Sequence, residues 1–312
     1  MTEPRTTPDG GPRPGGPPPR VLRAVRGRIG AAFADAGVTG ALHAVDIDAG
    51  REVEVGADTL YSTASLHKLC LVTTLFREAA AGRVELTRRI ELPAGPGRSP
   101  GGTGVAAMLD PVTMSLRDLA SLTVAVSDNA AADALWDELG LDTVNATMVD
   151  LGLTRTVAIE PLRELYAGMR EDAGPDGPAA LVDPAVVARL RALDPNRSNR
   201  GTPRDLTRLL AAIWRDEACG GEYGAGLRRV LGLQAWSHRL ASGFPFDDVR
   251  VSGKTGTLPT MRHEAGVVEY PDGGRYAITV CTRSADTAAA LPAADAVIGT
   301  VGRLAVDALR LG

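Results

Sequence analysis

The spacing of apolar positions along this chain changes several times, and each change marks a new kind of element. From Val21 to Ala36 the apolar residues Val21, Leu22, Val25, Ile29, Ala32 and Phe33 recur at helical spacing, and Gly37 ends the pattern. The period then shortens. His43, Val45 and Ile47 alternate with smaller or polar neighbours, Asp48 to Gly50 turns the chain, and Val53 and Val55 return, which predicts a hairpin. A second hairpin is expected far downstream, where Ala265–Tyr270 meets Pro271-Asp272-Gly273-Gly274 and the chain comes back through Tyr276, Ile278 and Val280. From Pro292 a last helix places Val297, Ile298, Val301, Leu304, Ala305 and Ala308 on one face.

The middle of the chain is rich in Ala, Leu and Asp and poor in strand formers. Leu66 to Ala81 is a proline-free helical pattern stopped by Gly82, and Ser115 with Asp118 three residues on caps another. Asn129 to Leu139 is expected to end at Gly140, and Thr202-Pro203 places a cap and a first-turn proline before a further helix. The stretches 93–104 and 174–178 are rich in Gly and Pro and read as loops. The expected fold is therefore α/β in the α+β sense: an antiparallel sheet built from both chain ends, flanked by helices, with an all-helical subdomain inserted. Residues 21–60 and 210–312 would form the α/β part and 61–209 the helical part. Residues 1–20, with seven prolines and four glycines, cannot form a packed core and are expected to be a disordered tail.

Composition narrows the choice of partners. A net charge of −4 over 312 residues gives no basic excess for phosphates, so neither nucleic acid nor a membrane surface is expected as a partner. Cys70, Cys219 and Cys281 are far apart and the four histidines show no ligand spacing, so no metal is expected. Arg23, Arg26 and Arg28 interrupt what would be a secretory apolar stretch, which leads to the expectation of a cytoplasmic protein. It is expected to act as a monomer on a small molecule, without a cofactor.

Three short motifs carry the chemistry: Ser65-Leu66-His67-Lys68, Ser127-Asp128-Asn129 and Lys254-Thr255-Gly256. On a helix Ser65 and Lys68 share a face, and a first-turn Ser finds partial positive charge in the leading amides. A buried lysine loses proton affinity and can then deprotonate the hydroxyl. Ser127-Asp128-Asn129 lies between two helical patterns, where it could equally be an ordinary N-cap. Gly256 removes a side chain where a ligand could approach an edge strand. Two other patterns fail on context. Gly253-Lys254-Thr255 lacks the first glycine and following helix of a phosphate loop, and Gly97-Arg98-Ser99-Pro100-Gly101 lies in a loop rather than at a strand-to-helix elbow.

In this order, and with Tyr61-Ser62-Thr63-Ala64 before Ser65, Gly102-Thr103-Gly104, and Arg262-His263-Glu264-Ala265-Gly266 behind Thr257, the motifs resemble those of serine β-lactamases and penicillin-binding proteins. The likeness is to the class A branch and spans roughly residues 21 to 312. It implies an α/β sandwich with a helical subdomain and the active site at their junction. By that resemblance Ser65 is acylated, Lys68 helps to activate it, and Ser127 relays a proton to the leaving nitrogen. Asn129 contacts the substrate amide, Lys254 and Thr255 hold its carboxylate, and the amides of Ser65 and Thr257 form the oxyanion hole. The family's deacylating Glu sits in an ExxLN loop; here the candidates are Glu160 and Glu164, neither followed by Leu-Asn at the family's offsets. Glu160, Glu164 or neither would activate the water.

The expected function is a serine hydrolase forming an acyl-enzyme at Ser65, with β-lactam hydrolysis first. An esterase, peptidase or acyltransferase is the alternative, and a non-catalytic binding module of the same fold is the third reading.

Overall fold

The computed structural model describes residues 18–95 and 97–311. Most of the expected tail, residues 1–17, lies outside the described residues. In chain order, helix α1 (Pro19–Asp35) precedes strands β1 (Val38–Asp46), β2 (Glu52–Val55) and β3 (Tyr61–Ser62), a 3₁₀ turn at Ala64–Leu66, and helix α2 (His67–Ala80). Strands β4 (Arg89–Leu92) and β5 (Val112–Ser115) are followed by α3 (Leu116–Ala125), α4 (Asn129–Asp150), α5 (Leu162–Ala173) and α6 (Pro184–Val187). The chain then runs through β6 (Arg200–Gly201), α7 (Pro203–Trp214), α8 (Gly221–Leu231), β7 (Arg250–Leu258), β8 (Met261–Glu269), β9 (Arg275–Ser284) and α9 (Pro292–Arg310).

Five of these strands form one sheet in the order β2-β1-β9-β8-β7, every neighbouring pair antiparallel. The two expected hairpins are β1–β2 and β8–β9, and the ends of the chain meet where Val38 of β1 pairs with Ser284 of β9. Helices α1 and α9 cover one face, burying Ile29 and Phe33 among Val297, Ile298 and Val301. The opposite face packs Ala265, Val267 and Ala277 into the same core as Leu69, Leu71 and Leu75 of α2 and Leu206 and Leu209 of α7. Helix α2 is buried nearly all round, as a helix between two layers must be. Two consequences matter for the site. Strand β7 is an edge strand, and the 3₁₀ turn ahead of α2 lies against it.

The sequence expectation and the structure differ at particular residues. Helix α1 starts at Pro19, because proline at the first helical position has the required φ and no amide to lose, so the last residues assigned to the tail belong to a helix. The helix expected to stop at Gly140 resumes. Gly140 adopts φ 75° and ψ 155°, a kink that glycine accommodates, and Leu141–Asp150 continues with Val144, Thr147 and Met148 buried. The Gly/Pro-rich stretch near Pro178 winds into 3₁₀ turns over Gly174–Val182. Helix α7 runs across the boundary placed at residue 210, and Thr207 in it donates to the His43 carbonyl of β1 (3.1 Å). Among the described residues no helix is long and apolar enough to cross a membrane.

Candidate active site

Three elements meet at a cleft of about 810 Å³. Ser65 comes from the 3₁₀ turn, Ser127 and Asn129 from the α3–α4 junction, and Thr255 and Thr257 from the edge strand; all five line it. Ser65 is the middle residue of the Ala64–Leu66 turn, where the leading amides of a helical segment lack partners of their own within it. Ala64 and Ser127 have φ of 50° and 58°, left-handed conformations that cost a non-glycine residue on the order of 1 kcal/mol and here aim the two serines into one space.

Lys68 is 1% exposed and its amine donates to three acceptors: Ser127 O (2.6 Å), Asn129 Oδ1 (2.7 Å) and Ser127 Oγ (3.2 Å). Burial lowers its pKa to about 7, although the carboxylates of Asp128 and Asp133 pull the other way. A lysine that is half neutral near pH 7 can take a proton. Lys254 is fully buried behind β7, donating to Thr255 O (2.8 Å), and its pKa falls well below the usual lysine range through burial first and the charge of Lys68 second.

Both readings of Ser127-Asp128-Asn129 apply, to different residues. Asp128 is the cap, accepting from Ala130 N (3.0 Å) and Ala131 N (3.2 Å), while its other oxygen accepts from Val105 N (2.5 Å). Ser127 and Asn129 are left to face the cleft. His67, next to Lys68, turns into the core against Trp136, where burial lowers its pKa to about 4. Ser99, of the rejected elbow pattern, is buried and donates to Asp133.

Gly256 is where the edge strand and the nucleophile turn touch. A Cβ there would lie 2.9 Å from Thr63 O and 3.0 Å from Leu66 Cγ, so any side chain would push β7 away from Ser65. The Thr255 amide turns away from β8 and donates to Gln234 Oε1 (2.5 Å). Alternate amides of a strand point the same way, so the Thr257 N–H also faces outward, toward the cleft.

Glu160 is placed elsewhere. Asn199 fixes its backbone, accepting from Glu160 N (3.0 Å) and donating to Glu160 O (2.8 Å), and its side chain shares a separate cavity with Glu164, Glu171, Arg191 and Arg197. Burial raises its pKa, and the neighbouring Glu164 adds to the rise.

Some of the cleft lining gave no signal in the sequence. Arg239, 4% exposed, donates to Gly256 O and His263 O (3.0 Å each), to Thr257 Oγ1 (2.8 Å) and to Asp295 (2.7 Å). Trp236 and His238 line the same wall, and Tyr166, Met169, Pro178 and Leu181 make the far end apolar. Trp236, His238 and Arg239 sit in an irregular stretch, where neither period nor motif marks them.

The model of the beta-lactamase enzyme family matches residues 24–309. The chain belongs to the beta-lactamase enzyme family. Within it, this family member is 33% identical over 297 residues to the beta-lactamase regulatory protein BlaB of Streptomyces cacaoi, an overlap of 89% of this chain and 95% of that one. It superposes on a beta-lactamase of Sphaerobacter thermophilus with a TM-score of 0.74 at 26% identity, covering 94% and 98% of the two chains. The fold is also that of a point mutant of PBP-A, solved as an acyl-enzyme complex with penicillin G, with a TM-score of 0.75, 20% identity and 94% and 97% coverage. The resemblance to class A enzymes and the α+β fold expected from the motifs are both as found.

Proposed function

We propose that this family member is a serine hydrolase that opens a β-lactam-type amide bearing a carboxylate and carries the acyl group on Ser65. The observation that supports it most is the convergence of Ser65, the Lys68–Ser127–Asn129 hydrogen bonds and the β7 edge on one cleft. In this reading the Ser65 hydroxyl adds to the carbonyl and gives its proton to neutral Lys68. The resulting oxyanion is held by the Ser65 and Thr257 amides, an arrangement worth ~2.7–4 kcal/mol per donor. The C–N bond then breaks, the nitrogen takes the Ser127 proton, and Lys68 replaces it along their 3.2 Å contact. Arg239 and the Thr255 hydroxyl line the wall for the carboxylate, with Lys254 buried behind them, and Asn129 gives the contact to the substrate amide.

Release of the acyl group is the slow half. Glu160 lines a second cavity with Glu164 and Arg191, and we infer that its carboxyl serves that cavity and not the reacting water. Replacing Glu160 by Gln should leave the lifetime of the adduct within about twofold of wild type, because acid–base help of ~10²–10⁴ is lost only from a group that reaches the reacting water. Intact-mass spectrometry during chase with unlabelled ligand measures that lifetime; a much longer-lived adduct in the variant would return Glu160 to the mechanism.

The pH profile offers a separate check. Only neutral Lys68 accepts a proton, and burial lowers its pKa to about 7, so the acylation rate should climb as pH rises through 7 and level off above. A limb near the ordinary lysine value would remove Lys68 as the base.

The placement of Glu160 also favours a second reading. An acyl-enzyme that persists is a record that β-lactam is present, and the Streptomyces cacaoi relative is named for regulation. A β-lactam chromogen separates the two: many turnovers per chain support hydrolysis, one stoichiometric burst supports sensing.

A further inference from the structure

The stretch Gln234–Leu240, which enters a 3₁₀ turn only at its last residue, carries Trp236 and His238 into the cleft wall. Its two ends converge on one side chain. Leu240 donates its backbone N–H to Glu264 Oε2 (2.7 Å), and Gln234 Nε2 donates to Glu264 Oε1 (2.8 Å). Gln234 in turn accepts the Thr255 amide of the edge strand (2.5 Å). Glu264 lies on β8 directly across from Thr255 and is 1% exposed.

A carboxylate at such a depth is costly unless it is fully engaged. Among the described residues no Lys or Arg lies within ion-pair distance of Glu264. What holds it are two N–H donors, both from the strap, with the charges of Arg239 and Lys254 nearby. The arrangement needs an acceptor at both oxygens, which a carboxylate provides and a carboxamide does not. Arg239, immediately before Leu240, is set against Gly256, His263 and Thr257 by the same closure.

We propose that Glu264 is a positioning residue for the anion-binding end of the cleft: it ties both ends of the Gln234–Leu240 strap to the sheet and so places Arg239 and Thr255 opposite Ser65. This rests on the reading of the cleft as a site for carboxylate-bearing amides. The nucleophile end, Ser65 with Lys68 and Ser127, is anchored by α2 and the α3–α4 junction, which the strap touches through the Ala235 N–H donated to Ala125 O (2.8 Å) and not through Glu264.

Glu264→Gln is the direct test, because it removes one acceptor with little change of volume. Hydrogen exchange read by mass spectrometry should show peptides covering 235–240 and Thr255 exchanging about tenfold faster, the scale of one lost charge-assisted bond, with the α2 peptide unchanged. The benzylpenicillin concentration giving half-maximal acylation should rise about tenfold while the limiting rate stays within about twofold, and benzylpenicillin methyl ester should show no such rise. Gln234→Ala, which leaves the Glu264 carboxyl in place, should give the same split and serves if the first variant does not fold. Unchanged exchange in the strap, or equal losses on acid and ester, overturns the proposal. If the wild type forms no adduct at all, the acyl-enzyme reading falls and the exchange result alone decides whether Glu264 holds the strap.

Discussion

Ser65→Ala should leave no mass adduct after exposure to benzylpenicillin, with the acylation rate down on the order of 10⁶-fold, the loss typical of removing a nucleophile that works with its base as a unit. The size of the effect follows from the surroundings. Ser65 occupies the turn whose amides would stabilise the oxyanion, and Lys68 reaches the same space, so deleting the hydroxyl idles every other group at once. The fold should be indifferent. Ser65 is half-buried, and neither its neighbours' backbone bonds nor the Thr63 link to Asn199 involve its hydroxyl, so the melting temperature should shift little. An adduct of the same mass in this variant would place the nucleophile elsewhere and end the reading.

Lys68→Met should lower acylation by ~10²–10⁴, the range for loss of general acid–base help, and should flatten the pH profile near 7. Methionine fills a similar volume but gives no donor to Ser127 O or Asn129 Oδ1, both of which Lys68 now satisfies. Each unmade buried bond costs ~1–3 kcal/mol, offset in part because a desolvated amine is removed as well. Circular dichroism melts taken beside the rate measurements separate the two effects. A variant that keeps the wild-type rate and pH dependence would show that Lys68 only braces the α3–α4 junction.

How much of this was legible beforehand depended on whether the signal was local. The helices α2 and α9 and both hairpins follow from spacing and turn residues that act within a dozen positions. The motif residues were legible because reactive side chains at helical spacing are rare in a buried helix, and the structure brings Ser65, Lys68, Ser127, Asn129 and the Lys254–Thr257 strand to one place. The role of Asp128 as cap was readable too, once separated from its two neighbours. What stayed hidden was set by tertiary packing. Arg239 and Gln234 act across the edge of a strand many residues away, and a single Arg or Gln in an irregular stretch carries no period. Gly140 was read as a terminator because a glycine after a helical run usually is; the burial of Val144 and Met148 made continuation the better packing solution. Glu160 was a candidate by its place in the chain, but its backbone is held by Asn199, far along the sequence, which no local pattern announces.

The pairing of Val38 with Ser284 bears on how the protein is made. During synthesis α2, α3 and α4 leave the ribosome before the α7, α8 and sheet residues that share their core. The opposing rim of the cleft arrives only with β7, and β1 waits for β9, nearly the full chain later. Such distant closure is slow, and a nascent chain that stalls before Arg250 would carry the nucleophile without its counterpart rim. The two rims of the cleft can therefore face each other only once β7 has been made.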